Sequence, residues 1–463
     1  MRPDFIFARG PRRRRRLVLA VIAILALLAG GGALALVTVL APPEDVSDPN
    51  VEFEEPEPPP ATTSPERERE PRRRRRRLPA ETFVWPTYGY DAARTRYLPV
   101  DLRPPFRRTW TRGGSKLLEF QPVLARGTLF FVKNNGEAYA VRARDGRVRW
   151  RTRIATLNAS SPSWSRGRLF IATLSRRIVS LDARSGRRRW TKQIPARSES
   201  SPLVRAGRVY VGSEDGTVYA LRARDGKELW RYRAAGPVKA ALAYDRGRLY
   251  FGDYAGAVTA LRAADGSRVW TTGTSGRRFR RAGNFYSTPA VAYGRVFLGN
   301  TDGRVYSFSA SSGRLAWSRS TGGYVYAAPA VANVPGTRPS VYIGSYDGVF
   351  YALDARTGAT RWTHRAGGRI SGAATVIGRI VYFSNLGAKS TSGLDVRDGR
   401  RVFKIGRGAY NPVMSDGLRL YVTGYSSLYA FEPRRPRRET RPRRARGGAE
   451  RRRDRSARRD RRR

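Results

Sequence analysis

An all-β chain closed into an eight-bladed β-propeller, carried by one N-terminal transmembrane helix, is the architecture this sequence predicts. Three observations predict it. A strand-and-turn motif recurs along the chain, tryptophans close its units at near-constant spacing, and an uncharged run of 25 residues lies near the start.

The motif is read most clearly in Ser200-Ser201-Pro202-Leu203-Val204, Gly207-Arg208-Val209-Tyr210-Val211-Gly212 and Gly216-Thr217-Val218-Tyr219-Ala220-Leu221, followed by Asp225-Gly226 and Trp230. Its closing tryptophans are Trp110, Trp150, Trp190, Trp230 and Trp270, then Trp317 and Trp362, with Phe403 at the eighth equivalent place. Short apolar runs separated by Gly, Asp-Gly or Ser-Gly predict four antiparallel strands joined by tight hairpins. A lone sheet of this kind has two apolar faces, and stacking sheets around a ring buries both. Each closing tryptophan is therefore expected at the junction with the next blade. Units start near Phe120, Ser160, Ser200, Ala240, Ser287, Ala327, Ser371 and Asn411, but the last runs out after Leu428-Tyr429-Ala430-Phe431. The missing strand lies at the other end, in Phe106-Arg107-Arg108-Thr109-Trp110, so the N-terminal segment should complete the last blade and remove the open edges.

Leu17 to Ala41 is long enough to cross a hydrocarbon core of roughly 30 Å as a helix. Arg12 to Arg16 precede it and acidic residues follow, so the positive-inside rule leaves residues 1–16 as a cytoplasmic basic stub and the rest extracytoplasmic. The competing reading is a cleaved signal peptide, with Ala33-Leu34-Ala35 or Val39-Leu40-Ala41 as the site. The run exceeds the usual apolar region of about 7–15 residues, and Pro42 follows the second site. Residues 42–80 are Pro-rich and charged, first acidic and then basic, and read as a disordered linker that lifts the domain tens of ångströms from the membrane. The propeller should span residues 81–432, and residues 433–463 should form a disordered Arg-rich tail.

The formal net charge is +53, from 90 Lys plus Arg against 37 Asp plus Glu, and only seven of the bases are Lys. Two accounts fit this skew: arginine as generic surface filler, or a polyanion partner. In an extracytoplasmic setting the tail's partners would be anionic cell-wall polymers or lipid headgroups. The aromatics lie inside blades and not among the tail arginines, which argues against nucleic acid. With no Cys and a single His364, the chain has no disulfide, no thiolate nucleophile and no His-based metal cluster. Phosphate-loop, nucleophile-elbow and EF-hand spacings are absent, and the Asp residues sit mostly in Asp-Gly turns, where turn geometry explains them.

Leu353-Asp354-Ala355-Arg356-Thr357-Gly358 with Trp362, and Trp85-Pro86-Thr87-Tyr88-Gly89-Tyr90-Asp91 with Arg94-Thr95-Arg96-Tyr97, resemble the pyrroloquinoline-quinone-type (PQQ-like) propeller family over Trp85 to Phe431. The resemblance implies an eight-bladed ring with tryptophan docking between blades. It spans quinoprotein dehydrogenases and non-catalytic relatives, such as an outer-membrane assembly propeller and kinase sensor domains. The dehydrogenases carry an adjacent Cys pair, a calcium and a catalytic Asp on long loops. This chain has no Cys and mostly minimal loops, so no catalytic residue, metal or cofactor is assigned. The expected function is a non-catalytic binding or scaffold module for an envelope protein or an anionic cell-wall partner; the alternative is a PQQ-dependent quinoprotein oxidoreductase. The sequence does not fix the oligomeric state.

Departures from the minimal repeat point to contact surfaces. The longest, Thr274 to Tyr286, holds Arg277, Arg278, Phe279, Arg280, Arg281, Asn284 and Tyr286, and should lie at the channel mouth. Guanidinium groups beside aromatic rings suit anionic or sugar-like groups. A second, Ser384 to Ser392 with Asn385 and Lys389, should reach the same face. The third, Val334 to Ser340, reads as a spacer turn on the opposite face.

Overall fold

Every repeat folds into four antiparallel strands because its glycines fall where the backbone must reverse. In Arg126-Gly127, Arg166-Gly167, Ala206-Gly207, Arg246-Gly247 and Tyr293-Gly294 both turn residues have positive φ, the geometry that matches the twist of a two-residue hairpin. The computed structural model describes residues 45–56, 82–274, 283–410 and 413–434. Eight sheets result. Blades 1 to 7 run over Val123–Arg153, Ser163–Gln193, Leu203–Arg233, Ala243–Gly273, Ala290–Ser320, Ala330–Arg365 and Thr375–Ile405. Blade 8 takes three strands from Val413–Pro433 and its outer strand from Phe106–Arg112. That strand pairs antiparallel with Leu428–Pro433, with Trp110 opposite Ala430 and its ring 6.0 Å from that of Tyr421. The ring closes as the repeat count requires.

The tryptophans dock by one rule. The indole Nε1–H of Trp110, Trp150, Trp190, Trp230, Trp270, Trp317 and Trp362 donates to a backbone carbonyl in the next blade, at 3.0–3.2 Å. Each ring also lies flat against the glycine of that blade's last hairpin. A Cβ on Gly226 would sit 2.8 Å from Trp190, and one on Gly358 would sit 2.7 Å from Trp317. The Asp-Gly, Ser-Gly and Thr-Gly turns thus serve twice, through positive φ and as floors for indoles. Phe403 replaces tryptophan for a physical reason. Its neighbour, blade 8, takes its third and fourth strands from distant parts of the chain and so has no hairpin glycine to stack on. The phenyl ring packs instead beside Phe106 at 5.5 Å and Phe431 at 6.3 Å.

A second staple was not read from the sequence. Arg168, Arg208 and Arg248 open the second strands of blades 2, 3 and 4, and each donates to two successive carbonyls in the next blade's last hairpin: Ala223 and Arg224, Ala263 and Ala264, Ala310 and Ser311. In blade 5 the equivalent Arg295 is diverted. It is buried and donates to the carbonyls of Val51 and Glu52.

Those carbonyls belong to residues 45–56, which the sequence reading placed in an extended spacer; the structure corrects this. Val46–Ser47 add a strand to the outer edge of blade 5, Val51 is buried at 2% exposure, and Phe53 packs on Tyr293. Asp45, Asp48, Glu54 and Glu55 pair with Arg319, Arg314, Arg246 and Arg356. Burial raises the Glu52 carboxyl's affinity for its proton, but hydrogen bonds from the Ser309 and Ser311 hydroxyls and the nearby Arg295 outweigh it and hold the group below its usual range. A carboxyl depressed in the docked state contributes stability above its ordinary titration near pH 4.3, and loses it as pH falls through the docked value. Exchange protection of the Asp48 and Glu54 amides, which donate to Ala316 and Tyr293, should therefore fall when pH drops from about 6 to about 3, while blade cores stay protected.

The run 17–41, the tail from 435 and the loop 275–282 lie outside the described residues, and with them Arg277, Arg278, Phe279, Arg280 and Arg281. Among the described residues no helix is long and apolar enough to cross a membrane.

Candidate functional site

A single-copy segment, residues 84–98, fills the axis of the ring. Val84–Trp85 pair with blade 1 and Tyr97–Leu98 run parallel to the inner strand of blade 7. Between them, the carbonyls of Pro86, Ala92, Ala93, Thr95 and Arg96 accept the amides of Trp164, Tyr244, Val291, Val331 and Val376, one innermost strand after another. Positive φ at Gly89, Tyr90, Arg94 and Arg96 bends the segment into this arc.

Two buried arginines fasten it. Arg94 is fully buried; its Nε donates to the Leu242 carbonyl at 2.9 Å, Nη1 to the Thr87 hydroxyl at 2.7 Å and to the Tyr88 carbonyl, and Nη2 to the Ser201 carbonyl at 3.2 Å. Arg96 lies 4.8 Å over the Tyr88 ring and donates through Nη1 to the carbonyls of Arg94 and Pro329. Burial lowers the pKa of both guanidiniums and raises that of Asp91, which accepts from the Thr95 amide and hydroxyl.

This plug is the floor of a small mouth. Call the upper face the one bearing the connections between blades and the turn between second and third strands; the other hairpins mark the lower face. On the upper side a cavity of about 70 Å³ is lined by Tyr88 below and by Glu119, Glu199, Lys239, Tyr286, Tyr326 and Tyr410 around it. Lys239 Nζ lies 2.9 Å from Glu199 and 3.3 Å from Glu214, and the Tyr286 hydroxyl donates to Glu199 at 2.8 Å. Burial raises Glu199, yet these donors pull it below its ordinary value; burial, with Glu199 nearby, leaves Glu119 above its own. Tyr286, Tyr326 and Tyr346 continue the wall, with ring centroids 5.8 Å and 4.8 Å apart, and Arg369 covers Tyr346. The arrangement offers flat aromatic surface, hydroxyls and a lysine-bridged carboxylate pair.

Of the residues singled out from the sequence, Tyr286 lies in this wall. Asn284 is not among the residues lining it; its backbone N–H donates to the Thr301 hydroxyl. Asn385 ties its turn to the connection entering blade 7, donating to the Ala366 carbonyl and accepting from the Ala388 amide; Lys389 is exposed there with φ of 46°. Val334 to Ser340 forms a lower-face turn in blade 6, closed by Thr337 on the Val334 carbonyl. Glu119, Glu199, Lys239, Tyr326 and Tyr410 were missed, although a signal existed: each directly precedes a unit start, a place where neither blade packing nor turn geometry calls for a charge or a phenol.

Fold and site together define a repeat propeller with a plugged axis. The chain belongs to the family described as outer membrane protein assembly factor BamB, whose model matches residues 100–193, 134–334 and 326–433. Among solved structures, BamB from Moraxella catarrhalis is similar at 18% identity over 71% of this chain and 100% of that one, with a TM-score of 0.60. Quinohemoprotein alcohol dehydrogenase from Comamonas testosteroni is similar at 13% identity over 77% and 82%, and a europium-containing methanol dehydrogenase at 13% over 76% and 98%, both with a TM-score of 0.63. These likenesses show the fold alone. No curated protein matches the chain.

Among the described residues a quinone cofactor and its metal find no fitting site. The cavity over the plug, about 70 Å³ among the described residues, is far below the roughly 300–1,000 Å³ of small-molecule sites. Among the described residues no three His, Asp or Glu side chains converge to hold a metal.

Proposed function

We propose that this chain is a non-catalytic scaffold propeller of the cell envelope, held on the outer face of a membrane by the 17–41 helix, with its upper mouth gripping a segment of a partner protein. One observation carries the reading: the plug fills the axis, leaving a shallow tyrosine-lined mouth that suits a partner's side chains and is too small for a cofactor. The quinoprotein alternative has no such support.

A photo-crosslinker at Tyr410 in intact cells should capture a defined protein, whereas one at Lys227 on the lower face should not. Tyr286→Ala with Tyr326→Ala should cut capture at Tyr410 about tenfold or more, since aromatic anchors at interfaces are worth about 2 kcal/mol or more and 1.4 kcal/mol is tenfold. Equal capture from both faces, or capture unmoved by the tyrosine changes, would reject the reading. Anionic wall polymer is the second candidate, favoured by Arg126, Arg166, Arg184 and Arg187. These are exposed on the lower face of blades 1 and 2, and no carboxylate side chain pairs with them among the described residues. Binding there should weaken steeply with salt.

A further inference from the structure

We infer that the upper rim of blades 5 and 6 is a lipid-contacting surface that tilts the channel mouth toward the bilayer. This rests on the membrane anchor proposed above. The docked residues 45–56 fix where the chain reaches the propeller. Asp45 accepts from Arg319 at 2.6 Å and from the Ser320 amide at 2.7 Å, at the upper end of blade 5's outer strand. From there the segment runs down the rim, with Ser47 opposite Trp317 and Asp48 bonded to Ala316 and Arg314, and it ends under the lower hairpin at Tyr293. It therefore arrives from above.

Ala41, the last residue of the uncharged run, is four residues before Asp45. Four residues span at most about 14 Å fully extended. The lower end of the same strand lies a further ~17 Å away at about 3.3 Å per residue. The upper rim is thus the part of the ring that the tether brings nearest the membrane, and what stands there suits an interface. Tyr324 is 54% exposed one connection beyond Ser320, its ring is within 6.4 Å of Tyr346, and Arg369 lies over Tyr346. Tyrosines and long basic side chains are the residues that settle at the headgroup level.

The chain has no cysteine, so single reporter sites can be introduced cleanly. The full chain, reconstituted in phosphatidylcholine–phosphatidylglycerol vesicles with nitroxide-bearing lipid, would carry a fluorophore at Tyr324→Cys, Ser312→Cys on the lower hairpin of blade 5, or Leu157→Cys on the upper face across the ring. The label at 324 should lose most of its emission, while those at 312 and 157 should keep theirs. Asp45→Ala with Glu52→Gln, which loosen the docked segment, should restore emission at 324 although the chain still floats with the vesicles. Quenching at 312 equal to that at 324, or an unquenched 324 in a floating chain, would overturn the inference while leaving the anchor standing. A chain that does not float would remove the anchor and this surface together.

Discussion

Gly358→Ala is expected to destabilise the protein by about 3–5 kcal/mol, read as a lowered urea midpoint. Two costs combine. The residue has φ of +73°, where any Cβ is strained by about 1–2 kcal/mol. The new methyl would also lie 2.7 Å from Cδ2 and Cε3 of Trp317, which is fully buried and bonded to the Ala355 carbonyl, so the indole would have to leave its seat. Forcing a buried ring off its seat costs about 2–3 kcal/mol, the upper part of the overpacking range, whereas Trp317→Ala, which removes the ring, should cost about 3–5 kcal/mol. Gly336→Ala separates the terms. Its φ is +80° with nothing within 4 Å of the added Cβ, so only the backbone cost of about 1–2 kcal/mol should appear. In a Trp317→Ala background Gly358→Ala should shrink toward that value, a coupling of about 2 kcal/mol between contacting residues. Equal effects at 336 and 358 would show that the indole seat is not what the glycine protects.

Arg94→Met should cost about 3–5 kcal/mol, the size expected when a buried hydrogen-bond network loses its donor and several acceptors are stranded. Methionine keeps the length of the side chain, but it leaves the Leu242 and Ser201 carbonyls without their donor inside the ring. Each buried acceptor so stranded costs about 1–3 kcal/mol. Those carbonyls sit on the innermost edges of blades 3 and 4, so the change should loosen the plug before the blades. Amide exchange should accelerate first at Tyr244 and Val291, whose partners are in the plug. The comparison is Arg166→Met, an exposed lower-face arginine expected to stay within about 0.5 kcal/mol of the parent.

The ring was legible because it is written many times over. Seven tryptophans and a phenylalanine place the blade ends, and a missing last strand with a spare first one gives the closure. What occurs once was harder to read. The plug has no second copy to reveal that Arg94 and Arg96 are buried, and in an arginine-rich chain two more arginines carry no weight. The mouth was legible only at Tyr286, the one lining residue that an inserted length marks; Glu119, Glu199, Lys239, Tyr326 and Tyr410 are single residues before unit starts, with no inserted length beside them. Residues 45–56 misled for a different reason. Composition counts the apolar surface a segment brings itself, here little more than Val46, Val51 and Phe53, whereas its docking depends on arginines more than 190 positions away, such as Arg246.

The shared blade has a consequence for how the protein is made. Phe106–Arg112 emerges early, yet its partner strand ends at Pro433, more than 300 residues later. Until then the Phe106–Arg112 strand has an unsatisfied edge, and seven blades stand as an open arc. Closure is a late, long-range event of the kind that slows folding. Once made, it joins the first blade strand to the last, so the blade array has no free end from which to peel.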